Sequence, residues 1–206
     1  MINDQTSKDP TLSDVIKIAI LAVGGQGGGV LTNWIADLAT KGGYDVQTTS
    51  VAGVAQRTGA TVYYIEMAPK SKRHPIFAQS PIPGDVDIMI AAELAEAGRA
   101  VLRGFVTPDR TTLIASTHRI LAVSEKMVPG DGRSDGNILE EDIQKSALRS
   151  LCFDMDSIAS QAKSVISSAL FGALAQSKAL PFEATLFEEV IRASGQEFDQ
   201  SVTAFR

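Results

Sequence analysis

A glycine-rich loop near the start of the chain is the first candidate for chemistry. The stretch VGGQGGGV, residues 23–30, follows the apolar run IKIAILA and precedes the segment LTNWIADLATK, whose apolar residues have helical spacing. Glycines leave backbone N–H groups free to face an anion, and the N-terminus of the following helix adds a favourable dipole. The alternative is that the glycines serve only a tight turn and close packing. The residues predicted to contact a ligand, an anion or a partner are Gly24, Gly25, Gln26, Gly27 and Gly28.

Two common phosphate-binding loops do not match this stretch. A Walker A loop ends in Gly-Lys-Ser/Thr, whereas residues 28–30 are Gly-Gly-Val, which excludes ATP or GTP hydrolysis of that kind. The dinucleotide fingerprint needs a third glycine where Val30 stands, although Gly25 and Gly27 fit the first two places. The second predicted strand also ends without an acidic residue for a ribose. Tight NAD binding is therefore not expected.

A second polar loop is predicted beside the first. It follows the strand-like stretch YDVQTTSV and contains Gln56, Arg57, Thr58 and Gly59. Arg57 carries a permanent positive charge on a fork of N–H donors. Because the ligand crevice of an open α/β sheet lies beyond the carboxyl ends of its strands, we expect these four residues to contact an anion or a partner. The alternative is an ordinary surface arginine.

Strands alternating with helices predict the scaffold that positions both loops. The pattern indicates an α/β fold, a Rossmann-like three-layer domain with a mostly parallel sheet. Strands are predicted at 15–23, 44–51, 61–68, 85–92, 111–116 and 151–155, and helices at 29–41, 93–104, 138–150, roughly 157–179 and 183–194. We predict a polar tail over 1–14 and a single domain over 15–206. The final DQSVTAFR lacks a capping residue, so we expect the N-terminal part of a longer chain.

Composition narrows the classes of partner and cofactor. The net charge is −5, and the chain lacks the basic stripe typical of nucleic-acid binders. Its single cysteine, Cys152, cannot hold an iron–sulfur cluster, which needs about four thiolates. The polar start has no signal-peptide core, and the longest apolar run, IAILAV, is too short for a bilayer. We expect a cytoplasmic protein that contacts neither nucleic acid nor membrane.

Motifs for metals and for catalysis are incomplete. The stretch GDG at 130–132 resembles the start of a thiamine-diphosphate motif, but the corresponding later region, DMDSIASQAK, lacks its Asn. The segment DGRSDGNILEED half-fits a calcium loop, with Arg133 in place of an oxygen ligand. His74 and His118 lack a metal-ligand pattern. We therefore predict no metal site and no catalytic acid, base or nucleophile on this chain.

The two loops and their flanking strands carry a family resemblance. A strand running into G-G-Q-G, a helix, the strand G-Y-x-V and the loop Q-R-x-G stand here at residues 23–28, 43–46 and 56–59. This combination resembles the gamma-type domain of 2-oxoacid:ferredoxin oxidoreductases, closest to the indolepyruvate oxidoreductase beta subunit. The late segment SSALFGALAQSKALPFEATLFEEVI is also similar, so the resemblance covers residues 16–204. Ser167 and Ser168 stand where many relatives show an Asn.

The resemblance implies a subunit rather than a complete enzyme. Such complexes oxidatively decarboxylate a 2-oxoacid to an acyl-CoA and pass electrons to ferredoxin. They use thiamine diphosphate, magnesium, iron–sulfur clusters and CoA, none of which this chain is expected to bind alone. The implied partners are the large thiamine and iron–sulfur subunit and, through the complex, ferredoxin. In this resemblance, the glycine loop and Arg57 serve the CoA or substrate side of a shared site.

The sequence leaves open which substrate is used, and it allows two functions other than the subunit role. The 2-oxoacid substrate is indolepyruvate, phenylpyruvate or phenylglyoxylate. The alternative function is a stand-alone nucleotide- or CoA-binding protein that uses the glycine loop. A weaker third hypothesis is a dehydrogenase with an eroded fingerprint.

Overall fold

The computed structural model describes residues 15–51, 60–71, 75–119, 136–195 and 198–206. The strands are β1 Ile16–Ala22, β2 Tyr44–Val51, β3 Thr61–Pro69, β4 Ile88–Ala91, β5 Thr112–Ser116 and β6 Arg149–Phe153. The helices are α1 Gly28–Lys41, α2 Leu94–Leu102, α3 Gly136–Lys145, α4 Met155–Gln161, α5 Ile166–Ser177, α6 Ala184–Ala193 and α7 Phe198–Phe205. All six predicted strands are present.

The six strands form one sheet in the order β2-β3-β1-β4-β5-β6. Strand β3 is antiparallel to both of its neighbours, and every other pairing is parallel. Five of the six strands therefore run in the same direction, which confirms the predicted α/β fold with a mostly parallel sheet. The sequence pattern did not predict the reversal of β3. It follows from the short stretch between β2 and β3, residues 52–60, since a parallel pairing needs a longer crossover.

Both faces of the sheet are covered, which explains the continuous apolar strands. On β1, Ile18 and Ile20 face one core, and Ala19 and Leu21 face the other, because successive side chains of a strand alternate. The first core is completed by apolar residues of α1, α5 and α6, and the second by those of α2. A strand that is buried on both sides reads as an unbroken apolar run.

The chain reverses its winding between β1 and β4. From β1 it passes through α1 on one face to β2 at one end of the sheet, and from β4 it passes through α2 on the opposite face to β5. Because the two helices leave on opposite faces, a crevice opens between the carboxyl ends of these neighbouring strands. Open α/β sheets bind ligands at such a switch point.

The helix predicted at 157–179 is two helices, α4 and α5. Between them Lys163 adopts a left-handed φ of 55°. The N–H of Lys163 donates to the carbonyl of Ser160 at 3.1 Å, and that of Ser164 donates to Ala159 at 2.8 Å. This is the usual two-bond helix ending that favours glycine. Because lysine occupies the left-handed position, the sequence carries no signal for the break.

Several other predicted bounds were too wide or displaced. The last strand lies two residues earlier than predicted, because Asp154 caps α4 by accepting the N–H of Ser157 at 2.9 Å. The helix predicted at 138–150 ends at Lys145, so that its predicted last residues belong to β6. The strand predicted at 85–92 is only Ile88–Ala91.

In the described part of the chain, no single helix has the length and apolar character to cross a membrane. Helices α4 and α5 reach that length only as a pair bent by 120°.

Candidate functional site

The glycine loop lies at the crevice between β1 and β4. It follows the end of β1, and Gly27 is the residue from which α1 starts, with its carbonyl accepting the N–H of Leu31 at 3.0 Å. Gly25 and Gly27 have φ values of 94° and 70°. Side chains rarely adopt this left-handed conformation, so the turn requires glycine at both positions. Gly24 and Gly25 are exposed at the mouth of the crevice.

Close packing also requires glycine in this loop. A Cβ on Gly27 would lie 2.8 Å from Oγ of Ser167, at the start of α5. A Cβ on Gly28 would lie 2.5 Å from the ring of Tyr63 on β3. The packing alternative therefore accounts for part of the motif. It does not account for Gly24, which has open space around it and no left-handed backbone.

The N-terminus of α1 carries no side-chain cap and no acidic residue in its first turn. The first N–H groups of a helix have no partner within the helix and hold a partial positive charge. Helix α2, across the crevice, differs because Glu96 occupies its first turn. Glu96 is 2% exposed and paired with Arg99 at 2.7 Å, and burial raises its pKa. Of these two helix starts, only that of α1 is suited to bind an anion.

Gln26 is directed into the protein rather than towards the crevice. It is 8% exposed, and its Oε1 accepts the N–H of Val23 at 2.7 Å. Its own N–H donates to the carbonyl of Val23 at 3.1 Å. These two bonds close the turn. Gln26 therefore shapes the loop, and its backbone neighbours face the crevice.

The second predicted loop, Gln56, Arg57, Thr58 and Gly59, lies outside the described residues. The described residues on either side of it are informative. Val51 ends β2, and Thr61 begins β3 in register with Ala22 at the end of β1. Both ends of this segment thus lie at the sheet edge that carries the glycine loop. A contact between Arg57 and a ligand stays a prediction.

His118 was not predicted to belong to this site, yet it contacts the glycine loop. It follows β5, and its Nε2 lies 3.4 Å from Nε2 of Gln26. Its Nδ1 lies 2.8 Å from Oγ of Ser116, which also accepts the N–H of Met155 at 3.0 Å. A polar Ser-Thr-His run directly after a buried strand was the available signal. The motif search missed it because it tested histidines only as metal ligands.

The family comparison covers nearly the whole chain. Residues 17–206 match the model of the pyruvate ferredoxin/flavodoxin oxidoreductase family. The chain belongs to this family.

Curated relatives of this oxidoreductase chain are indolepyruvate oxidoreductase subunits. The subunit IorB of Archaeoglobus fulgidus is 29% identical over 179 residues, covering 86% of this chain and 84% of the relative. The IorB of Pyrococcus horikoshii is 27% identical over 190 residues, covering 86% and 85%. These matches confirm the resemblance stated from the sequence, and they support a subunit role in the oxidation of 2-oxoacids.

Solved structures share the fold of this oxidoreductase chain. The pyruvate oxidoreductase subunit PORC of Thermotoga maritima has a TM-score of 0.65 at 15% identity and covers 94% of each chain. The gamma subunit of a keto/oxoacid ferredoxin oxidoreductase from Geobacter sulfurreducens has a TM-score of 0.59 at 14% identity, covering 92% and 94%. A 2-oxoglutarate:ferredoxin oxidoreductase from Magnetococcus marinus, solved with 2-oxoglutarate, coenzyme A and succinyl-CoA, has a TM-score of 0.60 at 16% identity. The match covers 93% of this chain and 30% of that one.

The remaining candidate sites of the oxidoreductase chain are weaker. Across its described residues, no group of three or more His, Cys, Asp or Glu side chains could hold a metal ion. A cavity of about 670 Å³ lies between β6 and the helices α5 to α7, away from the glycine loop. Its lining combines apolar residues, including Phe153, Phe182 and Phe205, with the charged Lys178, Glu183, Glu188 and Arg206. Arg206 donates to Glu188 through two hydrogen bonds of 3.0 Å.

Proposed function

We propose that this chain is a non-catalytic subunit of an indolepyruvate, or aryl-pyruvate, ferredoxin oxidoreductase complex. The complex oxidatively decarboxylates a 2-oxoacid to an acyl-CoA and reduces ferredoxin. The family match and the IorB relatives support this proposal. Thiamine diphosphate, magnesium and the iron–sulfur clusters belong to the large partner subunit. A chain with one cysteine does not provide the thiolates that a cluster needs.

The observation that carries the role of this chain is the open N-terminus of α1 at the switch point. In the proposal, the exposed backbone of Gly24 and Gly25 and the first turn of α1 bind an anionic group of CoA or of the 2-oxoacid. Arg57, from the loop that joins β2 to β3, adds a charged donor fork to the same group. The reaction itself takes place on groups of the partner.

The side chains around the loop suit binding better than proton transfer. Gln26 is engaged with Val23, and the half-buried His118 lies between Gln26 and Ser116. We therefore assign no acid, base or nucleophile to this chain. We also propose that residues 15–206 form a single gamma-type domain, that the protein is cytoplasmic, and that it contacts ferredoxin only through the complex.

Affinity purification of the tagged full chain from its native host tests the subunit role. We expect a large subunit with a thiamine motif and ferredoxin-type cysteine runs to co-purify, identified by mass spectrometry. Recovery of the chain alone would contradict the proposal. In that case calorimetry with CoA decides whether the chain is a stand-alone binder, which is the alternative that the glycine loop favours.

A further inference from the structure

His118 connects the glycine loop to the strand and helix ends across the crevice. Its ring lies between Gln26 on one side and Ser116 on the other, at 3.4 and 2.8 Å. Its carbonyl accepts the N–H of Leu94, the first residue of α2, at 3.1 Å. Ser116 in turn accepts the N–H of Met155 at the start of α4. His118 thus connects the glycine loop to the start of α2 and, through Ser116, to the start of α4.

The orientation of Gln26 determines which ring nitrogen carries the proton. Because Oε1 of Gln26 accepts the N–H of Val23 at 2.7 Å, the NH₂ group of Gln26 is the end that faces His118. An NH₂ group only donates, so Nε2 of His118 must be the acceptor. The neutral ring then carries its proton on Nδ1 and donates it to Ser116. If Nε2 were protonated, two donors would face each other.

We propose that His118 is a positioning residue for the glycine loop. The neutral ring holds the amide of Gln26, and Gln26 holds the turn that presents Gly25 and the start of α1. Protonation of Nε2 breaks the contact with Gln26, and the loop loses this support. Histidine is suited to this role because its charge changes between about pH 5 and 8.

Charged groups near the ring come from three elements. Asp154 precedes α4, and hydrogen bonds from Ser157, together with a smaller attraction to His118, lower its pKa. Arg119 follows His118 in the chain, and Glu93 precedes Leu94 of α2. The glycine loop itself presents only the neutral Gln26. Because Asp154 already accepts two hydrogen bonds from Ser157, protonation of the ring directly changes the contact with Gln26.

NMR titration of the labelled full chain tests the coupling. The chain has two histidines, so His74→Gln is a matched control that leaves His118 as the single titrating ring. We expect the side-chain amide of Gln26 and the backbone amides of Gly25 and Gly27 to shift with the midpoint of His118. The shifts should persist in His74→Gln and disappear in His118→Gln. Loop signals that stay constant through the titration of His118, or that still shift in His118→Gln, would overturn the proposal.

The pH dependence of the loop can also be measured without the His118→Gln variant, and in the assembled complex. If His118→Gln does not fold, the comparison of the wild type with His74→Gln still shows whether loop and ring titrate together. In the assembled complex, and therefore resting on the proposed function, we expect the KM for CoA to rise about three- to tenfold from pH 7.5 to 5.5 in excess of any rise in His118→Gln. Equal pH profiles of wild type and variant contradict the positioning role in binding. A complex that does not assemble contradicts the proposed function alone.

Discussion

The two ends of the sheet are built from different chemistry. At the carboxyl edge, β1 runs into the glycine loop and its Gln26 amide, beside a helix start with no cap, and β4 is followed by the buried Glu93. At the amino edge, the same two strands are joined by charges. Arg110 contacts both Asp85 and Asp87, and Lys17 pairs with Asp85. In the proposed function, the charged amino edge stabilises the fold, and the carboxyl edge binds the ligand.

The charged network at the amino edge fixes residues 85–87, which directly precede β4. The backbone N–H of Lys17 donates to Asp87 at 2.8 Å, and Nε of Arg110 donates to the same carboxylate at 2.7 Å. Burial alone would raise the pKa of Asp85, but the hydrogen bond and charge of Lys17 and the charge of Arg110 lower it. The hydrogen bond to Asp87 raises the pKa of Arg110.

Substitutions in the glycine loop should have the largest effect. Gly27→Ala forces a side chain into a left-handed φ and against Ser167, which costs about 2–4 kcal/mol of unfolding free energy in urea. Gly25→Ala has the strain without the clash, so about 1–2 kcal/mol is expected. We expect complex activity to fall with both.

The control for the loop series is Gly29→Ala, inside the first turn of α1. A Cβ there meets only the ring of Tyr63 at 3.9 Å, and alanine is a better helix former than glycine. We expect no loss of stability. Equal losses in Gly27→Ala and Gly29→Ala would show that the turn geometry described here is wrong.

Removing the positive charge of Arg57 in the second predicted loop should weaken substrate or CoA binding without lowering the stability of the fold. In the complex, Arg57→Ala should raise the KM for CoA or for the 2-oxoacid about tenfold or more, because a charge-assisted hydrogen bond is lost. The thermal midpoint of the chain should stay unchanged. Arg103→Ala removes an exposed arginine at the opposite edge and serves as the matched control. Wild-type kinetics and assembly in Arg57→Ala would remove this residue from the site.

A substitution at the amino edge should lower stability and leave activity unchanged, which is the reverse of the effect expected for Arg57→Ala. Arg110→Ala leaves Asp85 and Asp87 without their shared partner, and we expect a loss of about 1–2 kcal/mol in urea unfolding. The complex should keep its KM values. A large change in KM with unchanged stability would contradict the division of roles between the two edges.

Acid should weaken the amino edge, with the smallest effect of the series. Because the pKa of Asp85 is lowered in the folded state, its contribution is complete above the ordinary value of 3.8 and is lost as the pH falls through the folded pKa. The stability advantage of the wild type over Asp85→Asn, about 1 kcal/mol at pH 6, should therefore shrink as the pH falls below 3.8 and vanish once the pH is below the folded pKa. An advantage that is constant from pH 6 to 3 would contradict this assignment.

Local sequence patterns predicted the scaffold, because the periodicity of apolar residues and the glycines between elements are sufficient to place most strands and helices. The apolar run of β1, the helical spacing of α1 and the predicted end of α1 at residue 41 each agree with the structure. The direction of β3 was available from the short connection between β2 and β3, although the alternating pattern alone did not predict it. The break at Lys163 and the inward turn of Gln26 have no signal in residue type or spacing. His118 lies 92 residues from Gln26, so their contact follows only from sheet order.

In the proposed function, the glycine-loop edge of this chain binds an anionic group of CoA or of the 2-oxoacid, and the reaction takes place on groups of the partner subunit. The most direct measurement is CoA-dependent reduction of ferredoxin by indolepyruvate, with the purified large subunit alone and after addition of this chain. We predict that the large subunit needs this chain for activity. The Arg110→Ala variant should restore activity, and the Gly27→Ala variant should not, under conditions in which both variants are folded. Full activity of the large subunit alone, or equal rescue by both variants, would contradict the claim.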